Sequence, residues 1–137
     1  MLFRSGACIA FGELGDLLDK GSHGATFGGN AVSCAAGNAI LDLIEKEDLL
    51  TRAKHIGEVL QTKLGALDAV EKVRGQGAMQ GVVFKEEIAA AVEARGRELG
   101  VVTNTPKPNV LRLVPPLAIT DDELERGVTR LSQAIED

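Results

Sequence analysis

Between His23 and Asn30 the sequence reads His-Gly-Ala-Thr-Phe-Gly-Gly-Asn, a glycine-rich loop that runs straight into a helix start. Such a place suits an anion. The first N–H groups of a helix have no partner within it, and the helix dipole puts partial positive charge at the same end. Thr26 adds a hydroxyl donor, which makes a phosphate group the fitting guest. The spacing is neither that of a Walker loop nor that of a dinucleotide fingerprint. The alternative is a loop that only turns a corner ahead of a capped helix.

Arg112 is the second residue that could do chemistry. In a strand over Val110 to Val114, Val110, Arg112 and Val114 share one face and Leu111 and Leu113 the other. The planar guanidinium between two valines is suited to two-point capture of a carboxylate, either a substrate's or that of an Asp or Glu elsewhere in the protein. The alternative is an edge-strand side chain that snorkels to water. Arg74, in Val-Arg-Gly, carries the same pair of readings. His23 could act as a base, but with no identifiable carboxylate to orient it, it reads as a hydrogen-bonded loop residue. His55 reads as the solvated edge of a helix. There is no Cys and His cluster with metal spacing and no Gly-x-Ser-x-Gly elbow, so no metal is expected.

The elements that must hold these residues follow from period and punctuation. Ala7 to Phe11 reads as a short buried strand ended by Gly12. Asn30 is a good N-cap for a helix apolar on nearly every face, which must pack inside a larger body. Asp48 opens a second helix with a stripe at Leu49, Ala53, Ile56, Leu60, Leu64 and Leu67. Two strands follow, Glu71 to Arg74 and Met79 to Phe84, with Gly-Gln-Gly as the bend. A helix over Glu86 to Leu99 is stopped by Gly100. Val101 to Thr103 is extended, Asn104 to Asn109 is a loop, and Val110 to Val114 is a strand halted by two prolines. The last helix starts at a capping box, Thr120 and Glu123, and buries Leu124, Val128, Leu131 and Ile135. A sheet with helices on one side is expected from Val70 onward.

Composition narrows the function classes. The 137 residues carry a net charge of −5, four Phe, no Trp and no Tyr. That balance argues against nucleic acid as a partner. No apolar run is long enough to span a bilayer, and Met1 to Ser5 is too short for a signal h-region, so no membrane partner and a cytoplasmic location are expected. Cys8 and Cys34 sit among small apolar neighbours, as buried reduced thiols do.

Four stretches in order resemble the class III, pyridoxal-phosphate-dependent aminotransferases: Gly6 to Gly12, His23 to Asn30, Val73 to Gly81 and Asn109 to Leu117. The resemblance covers nearly the whole chain. It implies an α/β architecture, the C-terminal part of the type I aminotransferase fold, with 1–47 as the end of the large cofactor domain plus the start of a connecting helix, and 48–137 as the small domain. It implies a homodimer with active sites at the subunit interface, pyridoxal 5'-phosphate as cofactor, and amino acid and 2-oxo acid substrates.

By the same resemblance, Thr26 reaches the cofactor phosphate held by the partner subunit. Ala25 falls where the family often has a Ser or Thr in contact with substrate. Arg112 binds the α-carboxylate of glutamate or 2-oxoglutarate, or pairs with a glutamate. The implied activity is transfer of an amino group from acetylornithine to 2-oxoglutarate in arginine biosynthesis, with ornithine, succinyldiaminopimelate and 4-aminobutyrate as sister substrates. The lysine that carries the cofactor belongs upstream of Gly6-Ala7, and Met1 to Ser5 do not match that stretch. No catalytic residue is therefore assigned, and the chain alone is expected to be inactive. A non-catalytic dimerisation or regulatory module is the rival from another class.

Overall fold

The computed structural model describes residues 9–17, 21, 24 and 26–137. Its backbone divides into two compact units, Met1–Glu47 and Asp48–Asp137.

In the first unit, α1 (Ala31–Lys46) starts where the sequence says it should. Asn30 is extended, and its side-chain oxygen accepts from the Ser33 N–H at 3.0 Å while its amide donates to the Phe27 carbonyl at 2.9 Å. One residue thus closes the turn before the helix and caps the helix itself. No side chain of α1 is buried: Val32, Ile40 and Leu41 are each more than half exposed. Cys34 is exposed too, which corrects the expectation of a buried thiol, because among the described residues of this unit nothing covers the helix. Cys8 lies outside the described residues. The strand expected over Ala7 to Phe11 does not form across Ile9 to Phe11, and a 3-10 turn, Gly12–Leu17, follows instead. Among the described residues of this unit there is no strand, and an apolar run without a neighbouring strand has no ladder to join.

In the second unit, the elements are α2 (Leu49–Gly65), β1 (Val70–Gln76), β2 (Met79–Phe84), α3 (Ala89–Glu98), β3 (Asn104–Lys107), β4 (Val110–Leu113) and α4 (Asp121–Glu136). The sheet is antiparallel with order β1-β2-β4-β3. Ile56, Leu60 and Leu64 of α2, Val92 of α3, and Leu124, Val128 and Leu131 of α4 form one buried cluster with Val82, Phe84, Leu111 and Leu113. The expected sheet-and-helix layer is therefore present, with the helices gathered on one face.

Several boundaries differ from the sequence reading: α2 ends at Gly65 before Leu67, β1 begins at Val70 and β4 ends at Leu113. Gly75 and Gln76 belong to the ladder, and the bend is the two-residue Gly77-Ala78 with a positive φ at Gly77 alone, the requirement of a II′ hairpin. The α3 helix begins three residues later than Glu86. Pro106 sits inside β3 rather than in a loop, which its missing N–H permits because β3 is an edge strand.

The capping box at α4 is complete. The backbone N–H and hydroxyl of Thr120 both donate to the Glu123 carboxylate, at 3.0 and 2.8 Å, and the Glu123 N–H returns a bond to the hydroxyl. These donors, the backbone N–H first, hold the Glu123 carboxyl below the usual range, and the Arg52 hydrogen bond does the same for Asp121. Acids lowered in the folded state add stability that is full above their unfolded values and is lost as pH falls through the folded ones. Unfolding midpoints should therefore drop below about pH 4.3, and Glu123→Gln should flatten that drop. Thr120→Ala should cost about 1 kcal/mol at neutral pH by urea titration.

Candidate functional site

Thr26 opens the turn over residues 26–29 that leads into α1, and its side chain is exposed. Gly29 has φ +70 and Phe27 is 84% exposed, so the backbone of this turn is open to an approaching group. Ala25 and His23 lie outside the described residues. The donors fit one share of a pyridoxal-phosphate site: an exposed hydroxyl beside a helix start can donate to a phosphate oxygen. They do not make a whole site. Among the described residues of this unit the only lysine is Lys46, at the far end of α1 and about 24 Å from its start by helix rise.

Arg112 is placed by β4. Its neighbours Leu111 and Leu113 point into the core, fully and nearly fully buried, and Arg112 points to the helix-free face, exposed. β4 lies between β2 and β3, so the strand order corrects the edge position in that alternative, while the side chain does reach water. Across the ladder it pairs with Gly81 of β2 and Asn104 of β3. Among the described residues no carboxylate lies within 4 Å of its guanidinium. It is a cation on a rigid strand with its hydrogen-bonding edge unspent. Such an arrangement can take a carboxylate from solution by two parallel N–H···O bonds.

Arg74 stands on the same face. It pairs with Gly81 from the other side, and its aliphatic stem leans over the glycine, with Cγ 4.0 Å from where a Cβ would stand. Sequence spacing could not bring Arg74 and Arg112 together, because 38 positions separate them and only the register of β2 between their strands does so.

His55 is half exposed, with Nε2 3.5 Å from Asp121, which Arg52 also engages. This cluster joins α2 to the start of α4. Among the described residues no group of His, Cys, Asp and Glu is arranged to hold a metal, and no helix is long and apolar enough to cross a membrane. A cavity of about 410 Å³ runs between α4 and the Val101-Val102-Thr103 segment, and Arg112 is not part of its wall.

Residues 3–135 match the family described as aminotransferase class-III. The chain is 44% identical over 133 residues to the acetylornithine aminotransferase of Mycolicibacterium smegmatis, covering 96% of this chain and 34% of that one. The solved acetylornithine aminotransferase of Elizabethkingia anophelis superposes with a TM-score of 0.78 at 30% identity, covering 90% of this chain and 34% of the other. The ornithine aminotransferase of Toxoplasma gondii, solved with pyridoxal phosphate partly occupying its active site, gives 0.75 at 29% identity, covering 89% and 31%. The chain thus spans about a third of the length of the curated relatives it matches. Its fold is part of the type I architecture of these enzymes. On sequence and structure together, the chain belongs to the class-III family of pyridoxal-phosphate-dependent aminotransferases.

Proposed function

We propose that these 137 residues act as the C-terminal third of an acetylornithine aminotransferase, a cytoplasmic homodimer that transfers an amino group from acetylornithine to 2-oxoglutarate in arginine biosynthesis. In this reading 1–47 closes the large domain and begins the connecting helix, and 48–137 is the small domain. The observation that carries it is Arg112, an exposed guanidinium on an interior strand without an acidic partner among the described residues. The choice of acetylornithine rests on sequence: curated relatives named for acetylornithine match nearly the whole chain at 42 to 46% identity.

Each residue has a stated task. Arg112 takes the α-carboxylate of 2-oxoglutarate or glutamate by two parallel N–H···O bonds and so fixes the carbon that exchanges nitrogen for oxygen. Thr26 donates its hydroxyl to a phosphate oxygen of the cofactor held by the partner subunit. Ala25, by the family resemblance, takes the position where a Ser or Thr often contacts substrate, and so brings no hydroxyl to it. Pyridoxal phosphate, when bound, supplies the electron sink that takes up and releases the amino group. This reading assigns the tethering lysine to none of these residues, so the 137-residue chain by itself is expected to be inactive.

The test is a chimaera in which residues 3–135 replace the matching segment of the Mycolicibacterium smegmatis enzyme. It should transfer nitrogen from acetylornithine to 2-oxoglutarate, while the isolated chain with pyridoxal phosphate should give no borohydride-fixed adduct at a single lysine. A chimaera that folds and dimerises but is inactive would overturn the reading. Within it, Thr26→Val should weaken cofactor binding by roughly 10-fold, the value of one charge-assisted hydrogen bond, with phosphate-free pyridoxal unaffected.

A further inference from the structure

The row Arg74, Gly81, Arg112 crosses three adjacent strands at one level of the helix-free face. Paired residues of an antiparallel ladder point the same way, so both guanidinium groups rise from this face with a residue between them that has no side chain. Their Cα atoms are two strand spacings apart, about 9.6 Å. Each side chain can span half of that gap. The stem of Arg74 already lies over the glycine, and Val110 Cγ1 stands 3.6 Å from the position of a Cβ there.

Charge makes the row unusual. Both guanidinium groups are exposed, and among the described residues neither has a carboxylate within 4 Å. Lys72 and Lys107, at the two ends of the neighbouring row through Val83 and Val110, add cations to the same face, Lys72 being engaged by Glu71 at 3.0 Å. Two like charges held on either side of a residue with no side chain repel, and an anion between them turns that repulsion into attraction. The fitting anion is planar and accepts on both sides. A carboxylate has about four lone-pair sites on two oxygens, enough for two guanidinium forks.

We propose that Arg74 and Arg112 hold one carboxylate between them over Gly81, so that Arg74 is a second binding residue for the substrate carboxylate. This deepens the reading of Arg112 given above and rests on it. Gly81 sets the width of the clamp: a Cβ alone would meet ordinary contacts, whereas a branched side chain would stand where the carboxylate lies.

The test is an NMR titration of the 137-residue chain with butyrate, reading the arginine Nε–H resonances, with chloride at matched ionic strength as the control. The resonances of Arg74 and Arg112 should move together with a common midpoint. Arg74→Gln should raise the butyrate midpoint about 10-fold, and Gly81→Val, which keeps both charges, should do the same with the dispersion of the amide spectrum retained. Arg112 moving alone, with a midpoint unchanged in Arg74→Gln, would overturn the shared clamp and leave the Arg112 reading standing. If neither resonance moves beyond the chloride control, the Arg112 reading falls and the clamp with it.

Discussion

Arg112→Ala in the chimaera is expected to raise the KM for 2-oxoglutarate about 100-fold, the equivalent of roughly 3 kcal/mol for a two-point charge-assisted pair. The KM for acetylornithine should change less than about 3-fold. The asymmetry follows from the substrates. The α-amine of acetylornithine is acylated, so the nitrogen it gives up is at the other end of the molecule, far from its carboxylate. In glutamate and 2-oxoglutarate the carboxylate is attached to the reacting carbon. An arginine fixed near the reacting carbon therefore grips one substrate and not the other.

Arg112→Lys should recover part of the loss, because an ammonium restores the charge without the planar fork. Stopped-flow measurement of the two half-reactions separates these cases. Equal damage to both would mean that Arg112 supports the fold or the cofactor and not one carboxylate. The fold argues against that outcome, since Arg112 is exposed on its strand and the packing of β4 is done by Leu111 and Leu113.

How much of this was legible beforehand depends on the range over which each signal acts. Asn30, Thr120 and Glu123 announced two helix starts to the residue, because a cap acts over three positions of sequence. The stripes of α2 and α4 were legible for the same reason. Pro106 misled: proline excludes a central strand but not an edge, and only the strand order shows which of the two β3 is. Cys34 misled in the opposite direction, since apolar neighbours in sequence promise burial only if another body covers them. Arg112 could be singled out by alternation. Its place inside the sheet, and the glycine and second arginine beside it, could not, because register is a long-range property.

Gly57→Ala is expected to destabilise the chain by about 3 kcal/mol, the upper end for overpacking a closed contact. Gly57 lies on the buried side of α2, and a Cβ there would stand 2.5 Å from the Gly77 carbonyl oxygen and 3.0 Å from Gln80 Nε2. Neither neighbour can yield cheaply. Gln80 is 1% exposed, donates to that same carbonyl at 2.7 Å and accepts from Gln61 Nε2 at 3.1 Å, so moving it strands buried polar groups. Gly77 is the positive-φ residue of the two-residue turn, and pushing its carbonyl reopens the turn that pairs β1 with β2.

Gly127→Ala is the control, with the opposite sign. It is also a helical glycine, in α4, but nothing lies within 4 Å of its would-be Cβ, so it should stabilise by about 0.5 to 1 kcal/mol through helix propensity alone. Urea unfolding of the two variants separates close approach from propensity. If Gly57→Ala proved as benign as Gly127→Ala, α2 could not be seated against the hairpin as described, and the register that brings Gly81 between the two arginines would lose its support.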